Sequence, residues 1–286
     1  MCVFFVTTRP GSLLIDWILS EILAALRIPT IAYLHTLGFA PLAAKSPLWK
    51  LIIQRLLRNC EKIVTLSPLL FSDPAEFAQG NEFSFVANTV HDETYRGEQR
   101  VSPSRGHVIF MSNLLPEKGA RDFILMAKKL MPLTDAKFSL IGASTDQNFT
   151  EELRILIRSS GLSERLSMPG PLYGIEKWNV LNEATALVFP STYRFEAQPL
   201  TIIEALLTGT PVLAYRAGAI ADCVVPDESG WISEPGDIDT LVERLVELLN
   251  DDQKWSALSD KCRALYADRF SRATYERRWH EILKSY

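Results

Sequence analysis

Between Phe189 and Val212 the chain reads Phe-Pro-Ser-Thr-Tyr-Arg-Phe-Glu-Ala-Gln-Pro-Leu-Thr-Ile-Ile-Glu-Ala-Leu-Leu-Thr-Gly-Thr-Pro-Val. An apolar run ends at Phe189, a polar loop follows, and a helix is predicted to open near Pro199, where proline suits the first helical position. The N–H groups of Leu200 and Thr201 then lack intrahelical acceptors and are placed to cradle phosphate oxygens. Glu196 precedes that helix and Glu204 sits in its second turn. A carboxylate repels phosphate but is a good acceptor for sugar hydroxyls. Amides that bind an anion, flanked by carboxylates, are what a nucleotide sugar requires. A second stretch, Phe110-Met-Ser-Asn-Leu-Leu-Pro-Glu-Lys-Gly119, places Lys118 just after a strand and at a helix start, where the helix dipole opposes a cation. An anion bound between the two motifs relieves that conflict. Each motif alone also fits a plainer description, two solvated acids on a helix and one surface lysine. Upstream, Ala32-Tyr-Leu-His-Thr-Leu-Gly-Phe39 ends a strand with His35 before a glycine-containing loop, a place where a lone histidine is more often structural than functional.

The elements that must position these residues alternate in type. Strands are predicted over 2–7, 30–34, 62–67 and 83–87, with helices over 13–27 and 48–59 between them. A polar, patternless stretch, 91–105, reads as a linker. The alternation restarts with strands over 107–111, 137–141, 165–168, 186–189 and 211–214, and helices over 118–130, 151–159, 175–184 and 199–207. Such βαβ order implies a parallel sheet covered on both faces, a doubly wound Rossmann-like domain. The end is helical over 238–249, 253–267 and 272–284, the last carrying Tyr275, Trp279, Ile282 and Leu283 at helical spacing.

Composition narrows the class. The chain has 286 residues, room for two domains, and is 47% hydrophobic and 22% charged, as expected of a soluble globular protein. A net charge of −4 argues against a nucleic-acid partner. Cys2, Cys60, Cys223 and Cys262 form no paired spacing, which suits neither a zinc site nor a disulfide framework and fits a reducing compartment. No basic stretch precedes the first apolar run, and the greasy segment 13–34 is broken by Asp16, Glu21, Arg27 and Pro29, so neither a secretory signal nor a membrane span is expected. The expected location is cytoplasmic. The helix over 48–59 is apolar and basic, with Lys45, Lys50, Arg55, Arg58 and Lys62 against Glu61 nearby. It fits a core-packing helix with a solvated face, and it also fits a peripheral contact with anionic lipid on the inner membrane face.

The motifs Ser112-Asn-Leu-Leu-Pro-Glu-Lys-Gly119, Leu140-Ile-Gly142, Gly161-Leu-Ser-Glu-Arg-Leu-Ser-Met-Pro-Gly170, the Glu196/Glu204 pair and Gly209-Thr-Pro-Val-Leu-Ala214 resemble, in order, the donor half of retaining glycosyltransferase family 4, the group 1 glycosyltransferases of GT-B fold. They cover about half the chain. The resemblance implies an α/β GT-B-like fold of two Rossmann-like domains with parallel sheets, the N-terminal one incomplete, and a C-terminal helix crossing between them. The implied divisions are 1–90 (acceptor side), 91–105 (linker), 106–268 (nucleotide-sugar side) and 269–286 (crossing helix). It implies that Lys118 binds the donor diphosphate, Glu204 the ribose hydroxyls and Glu196 the transferred sugar. Gln198, Pro199, Leu200 and Thr201 would line the sugar and phosphate pocket, Leu172 and Tyr173 would stand near the base, and Asn113 and Gly142 join the donor pocket. His35 would lie across the cleft beside the sugar, a catalytic candidate with Glu196. No metal or other cofactor is implied, and no Asp-x-Asp motif is present. Two departures stand out: Ser112-Asn113 replaces the family's Gly-Arg, removing one of two diphosphate cations, and Ala197 replaces a glycine.

The expected reaction is transfer of a sugar from a nucleoside-diphosphate sugar to a glycan or lipid-linked acceptor, with retention of configuration, in cell-surface polysaccharide synthesis. The rival readings are a GT-B sugar-nucleotide epimerase and an inactive or partner-dependent nucleotide-sugar-binding subunit. Because the resemblance begins inside the family's N-terminal domain, the apolar strand over 2–7 is expected near an open sheet edge, a template for self-association or for a partner chain.

Overall fold

The computed structural model describes residues 1–90, 95, 97 and 106–284. The predicted linker, 91–105, thus falls outside the described residues except at Tyr95 and Gly97. The described chain forms two compact units.

The first unit gathers Met1–Asn88, the segment Arg194–Gln198 and the residues from Tyr275 onward. Its parallel strands β1 (Cys2–Val6), β2 (Thr30–Leu34), β3 (Lys62–Thr65) and β4 (Glu82–Phe85) lie in chain order across the sheet. Helices α1 (Pro10–Ala25), α2 (Phe39–Ala43), α3 (Pro47–Arg58) and α4 (Ser72–Ala75) connect them. Strand alternation sends Phe4 and Val6 into a core with Leu13, Ala32, Leu34, Ile53, Leu56 and Ile63, and leaves Val3 and Phe5 outward. Every residue of β2 and β3 is buried, as in a parallel sheet covered on both faces. Lys62 is buried as well; it stands opposite Glu82 in register and pairs with it at 3.1 Å.

The second unit comprises the described part of 89–193 together with Pro199–Thr274. Its strands are β5 (His107–Met111), β6 (Lys137–Ile141), β7 (Leu166–Gly170), β8 (Ala186–Phe189), β9 (Val212–Tyr215) and β10 (Gly230–Ser233), all parallel in the order β10-β9-β8-β5-β6-β7. Helices α5 (Ala120–Leu130), α6 (Gln147–Ser159), α7 (Gly174–Glu183), α8 (Leu200–Thr208), α9 (Ile220–Cys223), α10 (Ile238–Asn250) and α11 (Asp252–Arg269) follow the strands. The core joins Val108, Phe110, Phe123, Phe138, Leu140, Val188 and Leu213 with Leu241 and Leu245 of α10. A last helix, α12 (Arg272–Leu283), joins the first unit from Tyr275 on, where Trp279 meets the Tyr33 ring edge-on at 5.0 Å. The strand sequence runs outward in opposite directions from the β5–β8 neighbours. That reversal opens a crevice at the carboxyl ends of those two strands.

Several boundaries differ from the sequence expectation. Lys118 does not open α5; it closes a 3-10 turn, Pro116–Lys118, and Gly119 in a left-handed conformation (φ 87°) separates that turn from the helix. Pro199 is the cap of α8 and not its first residue. Helix α6 starts at Gln147 rather than 151, because the Asp146 carboxylate accepts from Asn148 N (2.9 Å) and Phe149 N (3.1 Å). Strand β7 runs through Pro169, which an edge strand tolerates. Strand β10 and the short helices α2, α4 and α9 have no counterpart in the expectation.

Candidate functional site

The crevice of the second unit is built from loops that follow β5, β6, β7 and β8, and glycines let them meet. A Cβ on Gly119 would lie 2.0 Å from the Pro190 carbonyl oxygen, and one on Gly142 would lie 1.7 Å from that of Ser112. Thr192 N donates to the Glu117 carbonyl at 2.8 Å, tying the turn that carries Lys118 to the loop after β8. Leu114 N donates to Ala143 O (2.7 Å) and Gly142 N to Gly170 O (3.1 Å). Lys118 Nζ stands 4.6 Å from the Tyr193 ring centroid and 5.9 Å from that of Phe189, so aromatic faces set its direction. Asn113 lies exposed on the same loop.

Across the switch point, α8 begins at Leu200 with no side-chain cap on its first turn. The amides of Leu200 and Thr201 are first-turn donors with no intrahelical acceptor, at the positive end of the helix. Glu204, one turn on, receives Lys177 Nζ at 2.8 Å, and both side chains are largely buried. Lys177 was not singled out from the sequence. The signal was present, since it lies in the first turn of α7, where the dipole disfavours a cation. The conflict expected at Lys118 is thus found at Lys177, and Glu204 resolves it. Leu172 and Tyr173 lead into α7, Leu172 half-buried and Tyr173 exposed. Gly142, Ser144, Asn148, Arg154, Gly170 and Pro171 line an adjoining hollow of about 600 Å³ at the carboxyl ends of β6 and β7. Another hollow, about 470 Å³ beside His107, Lys137 and Arg165, lies at the amino ends of the strands, where this architecture does not place its chemistry. The second unit therefore holds Asn113, Lys118, Gly142, Leu172, Tyr173, Pro199, Leu200, Thr201 and Glu204.

The remaining candidates, His35, Glu196 and Gln198, belong to the first unit. His35 follows β2, its ring packed against Tyr33 (4.2 Å) and Phe5 (4.9 Å). Its Nε2 is buried with no hydrogen-bond partner among the described residues, and burial pushes the imidazole below its ordinary value of 6.5. The loop after it is fixed by Asp73, whose carboxylate accepts from Gly38 N (2.8 Å), Phe39 N (3.1 Å) and Ala40 N (3.3 Å). Gly38 (φ 125°) lies so near Phe195 that a Cβ would stand 2.7 Å from its ring. The segment carrying Glu196 thus touches the loop carrying His35. Glu196 is buried. The Gln198 side chain accepts from Asn88 N at 2.6 Å and donates to Leu66 O at 3.4 Å, while Asn88 Nδ2 donates to Gln198 O at 3.0 Å. Gln198 is an anchor of its segment, a role the sequence did not suggest. Among the described residues no group of three His, Cys, Asp or Glu side chains is placed to hold a metal ion, and no helix is long and apolar enough to cross a membrane.

Residues 92–265 match the model of the family described as glycosyl transferases group 1. The chain belongs to the group 1 glycosyl transferases. Within that family it is 20% identical over 271 residues to N-acetyl-alpha-D-glucosaminyl L-malate synthase of Bacillus anthracis, covering 90% of this chain and 69% of that protein. It is 28% identical over 221 residues to an MMP alpha-(1->4)-mannosyltransferase of Mycolicibacterium hassiacum, covering 76% of this chain and 52% of the relative. Among solved structures it is similar to HepE of Anabaena in complex with UDP, with a TM-score of 0.81, 20% identity, and coverage of 99% of this chain and 79% of that one. At that identity the likeness establishes the fold, which is GT-B.

Proposed function

We propose that this group 1 glycosyl transferase moves a sugar from a nucleoside-diphosphate sugar to a glycan or lipid-linked acceptor, with retention of configuration, in the synthesis of a cell-surface polysaccharide. The observation that carries the reading is a pair of features suited to an anion on neighbouring strand ends, the Lys118 turn after β5 and the first turn of α8, without a side-chain cap, after β8. Their chemistry suits a leaving diphosphate: an ammonium and two amides fixed before the reaction begins stabilise charge as the glycosidic bond breaks. Glu204 is the acceptor for ribose hydroxyls, and Asn113, Gly142, Leu172, Tyr173 and Pro199 complete the donor pocket. Glu196 and His35 act at the transferred sugar; a half-buried imidazole held below its ordinary pKa is neutral at pH 7 and presents a hydrogen bond rather than a charge. Catalysis then rests on positioning and on stabilising the leaving group. No metal is assigned a part. Named relatives that transfer glucosaminyl and mannosyl groups support the class of reaction.

The test begins with thermal melting in the presence of uridine, guanosine and adenosine diphosphates and their sugars; the cognate donor should raise the melting temperature. Proton NMR of the product then reads the anomeric configuration, and inversion overturns the assignment of retention. One substitution favours a second reading, a nucleotide-sugar-binding subunit that works with a partner. Asn113 stands where the resembling family carries an arginine, leaving Lys118 as the cation of the turn. Donor binding without turnover in the presence of diverse glycan and lipid acceptors selects that reading.

A further inference from the structure

Lys177 and Glu204 form a contact that the donor reading does not require. The Lys177 ammonium lies 2.8 Å from Glu204 Oε1, and their side chains are 17% and 13% exposed. It also stands 4.3 Å from the centroid of Trp178, a side chain only 1% exposed and so a rigid wall. Helix α7 carries this cation at its positive end, where it is disfavoured. An ion pair this far from water also contributes little net stability compared with two apolar side chains. Fold stability alone does not explain the pair. Its direction does: glutamate has three side-chain torsions, and the ammonium and the indole together fix where its carboxylate points.

We propose that Lys177 is a positioning residue of the donor site. It holds the Glu204 carboxylate at the angle from which it accepts hydrogen bonds from the ribose of the donor, and so sets the preference for a ribonucleoside diphosphate over its 2′-deoxy counterpart. A fixed acceptor binds without first being ordered, and a loose one loses that advantage. The proposal rests on the reading of Glu204 as the ribose ligand.

The experiment measures binding of UDP and 2′-deoxy-UDP, and of GDP and 2′-deoxy-GDP, by calorimetry to the full chain and to variants. The wild-type protein should bind one ribonucleotide about tenfold more tightly than its deoxy partner, the worth of one hydrogen bond to a charged group. Lys177→Met should reduce that ratio to below about twofold, as Glu204→Ala does, and Lys177→Arg should restore most of it. The double variant Lys177→Met/Glu204→Ala should lose no more discrimination than Glu204→Ala alone. Should Lys177→Met fail to fold, Lys177→Gln carries the same comparison. A wild-type ratio retained in Lys177→Met while Glu204→Ala loses it overturns the proposal and leaves the donor site standing. No binding of any diphosphate to the wild-type protein, or equal binding of ribo and deoxy forms, overturns both.

Discussion

Lys118 is held by its surroundings before any ligand arrives: a 3-10 turn sets its backbone and the Tyr193 and Phe189 rings set its side chain. Because the turn is set by its backbone, removing the side chain should leave the turn in place while its charge and its ring contacts are lost. Lys118→Ala should weaken nucleoside-diphosphate binding by about ten- to a hundredfold with little change in melting temperature, the range of one charge-assisted hydrogen bond. Calorimetry on the folded variant decides, and an unchanged affinity removes Lys118 from the site. His35 belongs to the other unit and should behave differently. His35→Ala should lower kcat more than it lowers affinity for the bare nucleoside diphosphate, because its proposed contact is to the sugar. Equal losses in both would place it outside the reacting centre. The two half-buried imidazoles, His35 and His107, also set a pH dependence. Burial depresses both His35 and His107 below about 6.5, so in mild acid the unfolded chain binds protons that the folded chain refuses. Their contribution is complete above about pH 6.5 and is lost as the pH falls below it. The melting temperature should drop between pH 7.5 and 5.5, and drop less in a variant lacking both histidines; a rise on acidification contradicts this.

The loops around the crevice depend on two glycines in a way that exposed surface positions do not. Gly119→Ala and Gly142→Ala would each drive a methyl into a backbone carbonyl, at 2.0 and 1.7 Å respectively. Each should cost about 2–5 kcal/mol of stability through strain and displacement of the facing loop, read as a lower urea midpoint, and should weaken nucleotide binding because the facing loops move apart. These contacts show where the sequence was readable and where it was not. Long strands with β-branched runs, such as 107–111 and 137–141, announced themselves through composition, and the parallel order followed from their alternation with helices. Helix α6 was read too short because its first turn holds no apolar stripe and is nucleated instead by the Asp146 cap. Strand β10 was missed because it has four residues, opens with Gly230, and becomes a strand through pairing with β9. Among the candidate site residues, Lys118 and Glu204 are singled out by their motifs. Lys177 offered only a weak local signal, a cation in the first turn of a helix, and its partner Glu204, 27 positions away, leaves no pattern in the sequence. Gln198 is expected in the pocket from its motif, and its bonds to Asn88 and Leu66 are long-range contacts that no local pattern announces.

For the whole molecule, the exposed edge of the first sheet is expected to matter most for behaviour in solution. Strand β1 is an edge strand whose outward Val3 and Phe5 are 40% and 60% exposed, and Ile15, Ile18 and Ile22 of α1 are more than half exposed. A long apolar edge of this kind pairs with another chain unless it is covered. The protein should therefore form dimers or larger species in light scattering as its concentration rises, with β1 of two copies side by side. Val3→Lys together with Phe5→Glu should shift it toward monomer, and a monomer at all concentrations in the unmodified chain refutes the idea. The basic outer face of α3, with Lys50, Arg55 and Arg58 beside exposed Leu48 and Leu51, is the proposed site of membrane contact. Co-sedimentation with vesicles containing phosphatidylglycerol, absent with phosphatidylcholine alone and weakened by salt, is the expected result.

The path of the chain between its units has a genetic consequence. Residues 194–198 belong to the first unit although the residues on either side of them belong to the second, and Gln198 is fastened to Asn88 across 110 positions of sequence. Two sites so distant in the gene should then behave as one locus under selection. A change at codon 88 that loosens the segment carrying Glu196 should be tolerated in some backgrounds and not in others, depending on what stands at codon 198. Reciprocal replacement should make this measurable: Asn88→Ala and Gln198→Ala together should cost activity and stability by less than the sum of the single changes. Additive losses would mean that the two positions are inherited as neighbours in space without being partners in effect.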